Sequence, residues 1–207
     1  MKKTCVIDYS INNIASICKA LDKINQNYEV IDNGKDLKHF SNIILPGVGS
    51  FDKGINELKK RNFYTEIISL PDTKFILGIC LGMQLLFTKS EESLDKNING
   101  LNLIQGEVIK LKIDKENNIF VPHVGWNSIY KNSSEKNDFW MIENEDDTFY
   151  FANSYIVQPI NSGIIKYFFD HGKSYPAIIQ DKNIFATQFH PEKSQNGMKI
   201  LKRFCEL

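Results

Sequence analysis

The first half of the chain alternates short β-rich runs with segments of helical period. The β-rich runs occupy residues 4–8, 28–32, 42–45 and 74–79. Between and after them, apolar residues recur every three or four positions in residues 14–24 and 51–62, and a further helix is predicted from Leu81. Buried strands joined by helices are typical of α/β proteins. The pattern therefore predicts a parallel sheet covered by helices on both faces.

The second half has a different pattern, in which strand-like runs are separated by turn residues. The predicted strands are residues 105–111, 119–124, 127–130, 148–157, 164–169, 175–180 and 184–189. The turns are Asn117-Asn118, Asn161-Ser162-Gly163 and Asp181-Lys182-Asn183. A helix over 198–206 closes the chain. Because no linker or repeat separates the halves, we expect one α/β domain over 1–207 with a β-rich C-terminal half.

Composition narrows the function classes. Twenty-five basic residues balance 25 acidic ones, so nothing in the overall charge favours nucleic acid or an anionic membrane. No apolar run is long enough to cross a membrane, and no signal peptide is recognisable. The cysteines form no CxxC pair, which favours reduced thiols in a cytoplasmic protein. No metal or cofactor is predicted.

One cysteine stands in a context that is typical of a nucleophile. Gly78-Ile79-Cys80-Leu81-Gly82 lies between a predicted strand and a predicted helix. A G-x-nucleophile-x-G turn lifts its central side chain above the sheet edge. The helix N-terminus favours a thiolate, and the Leu81 N–H can face a developing oxyanion. Taken alone, the motif is equally consistent with a small cysteine packed at a tight junction.

A cysteine nucleophile needs a base, and the best candidate is His190. It lies in Phe189-His190-Pro191-Glu192, where a strand-like run ends. In extended chain, residues two apart share a side, so Glu192 can orient the imidazole. His39 and His171 are expected at the surface. His123, in Pro122-His123-Val124-Gly125-Trp126, is a weaker candidate.

Three further features can complete a site around Cys80. The loop Pro46-Gly47-Val48-Gly49-Ser50 follows a strand, and its glycines let backbone N–H groups approach a substrate. Gln84 lies one helical turn after Cys80 and therefore on the same helix face. Glu92 follows that helix and is a carboxylate able to hold an ammonium group.

Together these motifs resemble class I (triad) glutamine amidotransferases. The residues that carry the resemblance are Pro46-Gly47-Val48-Gly49, Gly78-Ile79-Cys80-Leu81-Gly82-Met83-Gln84 and Phe189-His190-Pro191-Glu192. Within that class, three stretches are similar to the glutaminase subunits of imidazole glycerol phosphate synthases: Ser90-Glu91-Glu92-Ser93, Pro122-His123-Val124-Gly125-Trp126-Asn127 and His190-Pro191-Glu192-Lys193-Ser194. The resemblance covers nearly the whole chain and implies a flavodoxin-like fold.

The resemblance also implies a reaction and a set of roles. Glutamine would be hydrolysed to glutamate and ammonia, with Cys80 as nucleophile, His190 as acid and base, and Glu192 as the group that orients His190. The oxyanion would be stabilised by Gly47, Val48 and Leu81. The substrate would be held by Gly49, Gln84, Glu92, Ser154 and Tyr155.

No second domain that could use ammonia is expected within these residues, so a dedicated acceptor is expected to dock on the chain. The resemblance implies a (β/α)8-barrel cyclase subunit, which yields imidazole glycerol phosphate and AICAR in histidine biosynthesis. The residues expected at the interface are His123, Trp126 and Asn127. An ordinary core role for Trp126 remains open.

Two departures from the family pattern leave the acceptor open. Ser10-Ile11-Asn12-Asn13 stands where the family commonly has Gly-x-Gly-Asn, and Asn153 stands where it favours His. Asn12 can still adopt the left-handed conformation. A paralogous glutaminase that serves a sugar amidotransferase in glycan synthesis is the main alternative. The others are a cysteine peptidase of the same superfamily and a catalytically inactive binding protein.

Overall fold

The computed structural model describes residues 3–10, 13–116, 119–132, 139–140, 142 and 147–207. Within them the strands are β1 (Thr4–Ile7), β2 (Tyr28–Ile31), β3 (Asn42–Leu45), β4 (Phe75–Ile79), β5 (Phe87–Ser90), β6 (Ile104–Lys110), β7 (His123–Ser128), β8 (Tyr130–Lys131), β9 (Thr148–Asn153), β10 (Tyr155–Pro159), β11 (Ile165–Asp170), β12 (Ser174–Asp181) and β13 (Ile184–Thr187). The α-helices are α1 (Ile14–Lys23), α2 (Phe51–Lys60), α3 (Phe63–Ile68), α4 (Leu81–Leu85) and α5 (Gln195–Cys205). None of the helices in these ranges is long and apolar enough to cross a membrane.

The predicted parallel sheet forms the centre of the molecule. Among the described residues its strand order is β2-β1-β3-β4-β13-β12-β11-β8. The strands from β2 to β13 pair in parallel, whereas β12, β11 and β8 are added antiparallel. Every residue of β1 and β3 is buried, which is the reason why both strands are almost uniformly apolar.

Helices cover both faces of this sheet, as the sequence predicts. Because side chains alternate along a strand, Val6 of β1 packs with α1 and α5, whereas Cys5 and Ile7 pack with α2, α3 and α4. The buried stripes of α1 and α5 include Leu21 and Leu201. Each face therefore has its own hydrophobic core, and the carboxyl edges of the central parallel strands stay open.

The β-rich second half contributes two smaller sheets as well as the antiparallel strands. One has the order β10-β6-β5, and the other is the antiparallel pair β7-β9. The predicted single strand over 148–157 is wrong, because the chain divides at Ser154. Residues before Ser154 pair with β7, and residues after it pair with β6.

Several other predicted boundaries are also corrected. Residues 119–124 and 127–130 are not two strands, because β7 spans the gap between them and Ile119 forms only an isolated bridge with Asp114. Helix α3 and strand β5 were not predicted, and α5 begins at Gln195 rather than at residue 198. The predicted turn at Asn117-Asn118 lies outside the described residues.

Candidate active site

Cys80 occupies the junction that the motif predicts. It follows β4 directly and precedes α4, and its backbone has φ 54° and ψ −109°, a conformation that L-residues rarely adopt. The Cys80 N–H donates to the Thr187 carbonyl of the neighbouring strand at 2.8 Å. The strained turn is thus held by the sheet, as in other nucleophile elbows.

The two glycines of the motif are required by close backbone packing. A Cβ on Gly82 would overlap the Leu45 carbonyl oxygen and lie 2.9 Å from the carbonyl carbon. A Cβ on Gly78 would lie 2.9 Å from the carbonyl carbon of Gly82. Helix α4 therefore rests directly on the ends of β3 and β4, which fixes the height of Cys80 above the sheet.

We expect Gly82→Ala to destabilise the protein by about 3 kcal/mol, since neither of the two backbones can move without disturbing the sheet. In a chain of this size that corresponds to a melting temperature lower by about 6–12 °C in a thermal unfolding experiment. Gly163→Ala is the matched control, because its Cβ would meet only the exposed Asn161 side chain, at 3.1 Å. Equal melting temperatures for the two variants would contradict this account of the turn.

His190 and Glu192 form a buried pair beside Cys80. The two atoms Nδ1 of His190 and Oε1 of Glu192 are 3.0 Å apart, and the side chains are 6% and 1% exposed. The sequence pattern predicts that the two side chains meet because they lie in extended chain, but the structure shows another arrangement. Strand β13 ends at Thr187, and a 3₁₀ turn over Pro191–Lys193 brings Glu192 to the ring of His190. The predicted partners are right, but the predicted geometry is wrong.

The environment of His190 favours its protonated form. Burial alone would lower the pKa of His190, but hydrogen bonds and charge interactions with Cys80 and Glu192 raise that pKa to about 10. The second carboxylate oxygen of Glu192 is buried and has no hydrogen-bond partner among the described residues. The imidazole thus lies between a carboxylate and a thiol, in the order nucleophile, base, orienting acid.

A cavity of about 300 Å³ opens directly above Cys80. It is lined by Val48, Gly49, Cys80, Leu81, Gln84, Glu92, Ala152, Asn153, Ser154, Tyr155 and His190. All five residues predicted to hold a substrate line this cavity. Of the three residues predicted to stabilise an oxyanion, Val48 and Leu81 line it, whereas Gly47 is buried behind it, next to His190 and Glu192.

The loop after β3 is held from beneath by Tyr9. The Tyr9 hydroxyl donates to the Pro46 carbonyl at 2.7 Å, and burial raises the pKa of Tyr9, which keeps this donor protonated. The Tyr9 hydroxyl also occupies the space where a Gly47 Cβ would lie. Gly49 has φ 102°, in the region that favours glycine. The loop is therefore fixed at Pro46, whereas Val48 and Gly49 are exposed.

Glu92 closes the far end of the cavity. Its Oε2 accepts a hydrogen bond of 2.8 Å from the N–H of Phe51, the first residue of α2. Burial raises the pKa of Glu92, the Phe51 N–H lowers it and Asp52 raises it, with a net increase. Glu92 therefore places an anchored carboxyl group in the wall of the cavity.

The residues predicted at the interface differ in their exposure to solvent. Trp126 is 56% exposed beside Val124, and its ring meets Tyr150 edge-on at 5.7 Å. His123 is buried between Phe169 and His171, and burial together with the charge of His171 lowers its pKa to about 4.

Asn127 donates to the Asp170 carbonyl at 2.9 Å. His123 and Asn127 therefore support β7 from within, and Trp126 is the predicted interface residue that is exposed. The alternative core role for Trp126 does not hold.

The two departures from the family pattern have distinct positions. Ser10 has φ 71°, and its N–H donates to the Asp8 carboxylate at 2.9 Å while its hydroxyl accepts from Arg61. Asn12 lies outside the described residues. Asn153 is buried at the cavity wall, where its Nδ2 donates to the Tyr155 carbonyl at 3.1 Å. The Asn153 side chain thus supports the strand end that lines the site.

A buried cysteine, histidine and glutamate beside a small cavity fit the amidotransferase class, and the sequence comparisons show which family the chain belongs to. The family described as "Glutamine amidotransferase class-I" matches residues 5–206, and the chain belongs to that family. The imidazole glycerol phosphate synthase subunit HisH of Bacillus subtilis is 37% identical, over 98% of this chain and 95% of that protein. The corresponding subunit of Methanocaldococcus jannaschii is 41% identical, over 98% of both chains.

Solved structures show the same fold at lower identity. PurLQS from Thermotoga maritima is similar with a TM-score of 0.72 and 18% identity, covering 99% of this chain and 98% of that one. A glutamine amidotransferase from the same organism has a TM-score of 0.59 and 16% identity, covering 99% of this chain and 81% of that one. These likenesses support the class of fold, not the choice of acceptor.

Proposed function

We propose that this chain hydrolyses glutamine to glutamate and ammonia as the glutaminase subunit of an imidazole glycerol phosphate synthase. The observation that carries the proposal is the buried set of Cys80, His190 and Glu192 beside a cavity of amino-acid size. Full-length similarity to subunits of that synthase supports the choice of reaction. The products of the complete enzyme would be imidazole glycerol phosphate and AICAR.

The chemistry follows from the order of the groups. The Cys80 sulfur attacks the carbonyl carbon of the glutamine side-chain amide, and the tetrahedral intermediate expels ammonia after His190 transfers a proton to it. The remaining thioester is attacked by water, which gives its proton to His190, and glutamate and the free thiol are released. Glu192 keeps the second ring nitrogen of His190 engaged throughout both steps.

The oxyanion would be stabilised by backbone N–H groups at the base of the cavity. Leu81 supplies one at the start of α4, and the loop of Gly47 and Val48 supplies the other. Because Tyr9 fixes the Pro46 carbonyl, we propose that a flip of the Gly47–Val48 peptide, beyond that fixed point, brings the second N–H into place. A partner that favours this motion would switch hydrolysis on.

The substrate would be oriented by the polar ends of the cavity. Glu92 is placed to accept from the α-ammonium group, and the strand end at Ser154 and Tyr155 provides backbone groups for the carboxylate side. Gly49 and Gln84 form the remaining wall. A cavity of about 300 Å³ with this division fits a small amino-acid amide better than the extended substrate of a peptidase.

We propose a (β/α)8-barrel cyclase as the partner in a cytoplasmic heterodimer, which would take ammonia directly from the site. The docking face is defined by Val124, Trp126, Tyr150 and Lys193. Lys193 lies over the Tyr150 ring at 5.0 Å, and the Tyr150 carbonyl accepts from the His190 N–H at 2.9 Å. The docking face is therefore joined to the proposed base by one backbone hydrogen bond.

We expect Trp126→Ala to weaken binding of the cyclase by about 10- to 100-fold, because exposed aromatic side chains often dominate interface energies. Titration calorimetry with the purified partner measures the change. Ile160→Ala is the matched control, since Ile160 is equally apolar and 80% exposed but lies outside the docking face. Similar affinities for both variants would place the interface elsewhere.

A sugar amidotransferase is the second candidate acceptor, which the departure from the family pattern at Asn153, in the cavity wall, leaves open. The two candidate acceptors are distinguished by an experiment in which this chain is mixed with the cyclase of its own organism, the cyclase ligand and glutamine. Formation of glutamate well above the level of the isolated chain supports the histidine-pathway role. Background turnover in that mixture would favour the alternative acceptor.

A further inference from the structure

Gln188 contacts the proposed nucleophile, although it belongs to none of the sequence motifs described above. Strands β4 and β13 are in parallel register, with Ile79 opposite Thr187, so the next residues of both strands are neighbours. These residues are Cys80 and Gln188. Gln188 is 0% exposed, and its backbone N–H is bound to the Ala177 carbonyl at 2.9 Å. A fully buried amide side chain requires specific partners.

The hydrogen-bond network fixes which way the Gln188 amide points. Gln84 Nε2 donates to the Tyr155 carbonyl at 3.0 Å and to Gln188 Oε1 at 3.3 Å. Both hydrogens of the Gln84 amide are thereby used. Rotating the Gln188 amide by 180° would oppose two NH₂ groups, so its oxygen faces Gln84 and its nitrogen faces the sulfur.

The remaining contact is with Cys80. Gln188 Nε2 lies 3.8 Å from the Cys80 sulfur, within hydrogen-bond distance for this element. An amide N–H binds a thiolate more strongly than a thiol, because hydrogen bonds to a charged acceptor are stronger. His190 is the other donor to the sulfur. Cys80 is thus held between two donors from the same chain segment.

We propose that Gln188 is a positioning residue, which donates a hydrogen bond to the Cys80 sulfur and fixes the Gln84 amide with its oxygen available to the substrate. The proposal rests on the proposed function in taking Cys80 as the nucleophile. Gln188 acts through Cys80 and Gln84 and has no bond-making role of its own. It links the sulfur to the cavity wall at Tyr155 through two amide groups.

The charges around the sulfur determine how substitutions act. His190 is the nearby cation, Glu192 lies behind it, Glu92 lies across the cavity, and the Tyr9 hydroxyl lies beneath. Gln188→Glu keeps the side-chain shape and the acceptor for Gln84, but it removes the donor and adds negative charge beside the sulfur. Gln188→Leu removes both hydrogen-bonding functions without adding charge.

The test is the rate at which iodoacetamide alkylates Cys80, followed by mass spectrometry of the Cys80 peptide across a pH series. For Gln188→Glu we expect alkylation about tenfold slower at neutral pH, with the profile moved about one unit toward higher pH. Gln188→Leu should show a smaller change in the same direction. Asn42→Leu is the control, because Asn42 is an equally buried amide whose Nδ2 donates to the Phe204 carbonyl, at the opposite end of the parallel strands from Cys80.

The outcomes separate this proposal from the proposed function. An alkylation profile like that of the unchanged protein, in a Gln188→Glu protein with an intact melting transition, would overturn the positioning role. If Gln188→Leu does not fold, Gln188→Glu and Gln188→Asn provide the same readout. If alkylation responds to Gln188 but the unchanged protein with its cyclase does not hydrolyse glutamine, the positioning role stands and the proposed function fails.

Discussion

Cys80→Ala is expected to reduce glutamine hydrolysis by about a thousandfold or more, because Cys80 is the one thiol among the described residues that line the cavity and a thioester needs its sulfur. Alanine retains a Cβ, so the strain of the φ 54° turn is unchanged and the fold should be kept. The measurement is glutamate release by the complex with the cyclase. Synthesis driven by added ammonium salt should continue, since that reaction takes place on the partner.

Cys18→Ala is the matched control for this experiment. Cys18 is a partly buried thiol of α1, away from the cavity, and its loss should leave glutamate release unchanged. Residual hydrolysis by Cys80→Ala within about tenfold of the unchanged protein would refute the covalent mechanism. Loss of ammonia-driven synthesis would instead show that the substitution disturbs the docking of the partner.

Glu192→Gln is expected to lower kcat by about a hundredfold or more, because an amide can present its NH₂ group to His190 and hold the wrong tautomer. The pH dependence has a definite sign. Cys80 and Glu192 together raise the pKa of His190 to about 10 against the opposing effect of burial. Without the carboxylate that pKa falls, so protonated His190 is lost at a lower pH. The alkaline limb of the kcat profile therefore moves to lower pH.

The measurement is kcat for glutamate release by the complex across neutral and alkaline pH. Glu206→Gln is a suitable control, because its exposed carboxylate lies near Lys202 at the end of α5 and does not line the cavity. Its profile should coincide with that of the unchanged protein. An alkaline limb that stays in place in Glu192→Gln would mean that the carboxylate does not set the protonation of His190.

The first half of the fold could be predicted because its signals are local. Strands such as β3 are buried on both faces, so their residues are apolar without interruption, and the intervening helices have one buried stripe. Strand β5 was missed because Leu85, Leu86 and Phe87 continue the apolar pattern of the preceding helix. Nothing in that run marks where the period changes.

The second half was harder because its strands belong to three different sheets. Residues on either side of Ser154 are both strand-like, and only their partners show that the chain changes sheet there. Strand β7 has Gly125 at φ 142° in its middle, which interrupts the alternation on which the prediction depended. Pairing between distant segments leaves no trace in a local pattern.

The residues of the candidate site also divide into those that a local pattern marks and those that depend on distant contacts. Cys80 could be found from its glycines, and His190 from its place at a strand end. Glu192 was found with the wrong geometry, because a 3₁₀ turn rather than extended chain brings it to the ring. Gln188 was missed because its importance depends on the register between two strands, and His123 was misplaced because its burial depends on Phe169 and His171.

The contact between Tyr9 and the loop after β3 has an evolutionary consequence. The hydroxyl holds the Pro46 carbonyl and takes part of the space that a side chain at position 47 would need, while Leu81 and the Gly82 nitrogen at the start of α4 take the rest. Among descendants of this chain, glycine should therefore persist at position 47 even where the ring at position 9 has been replaced by a smaller side chain.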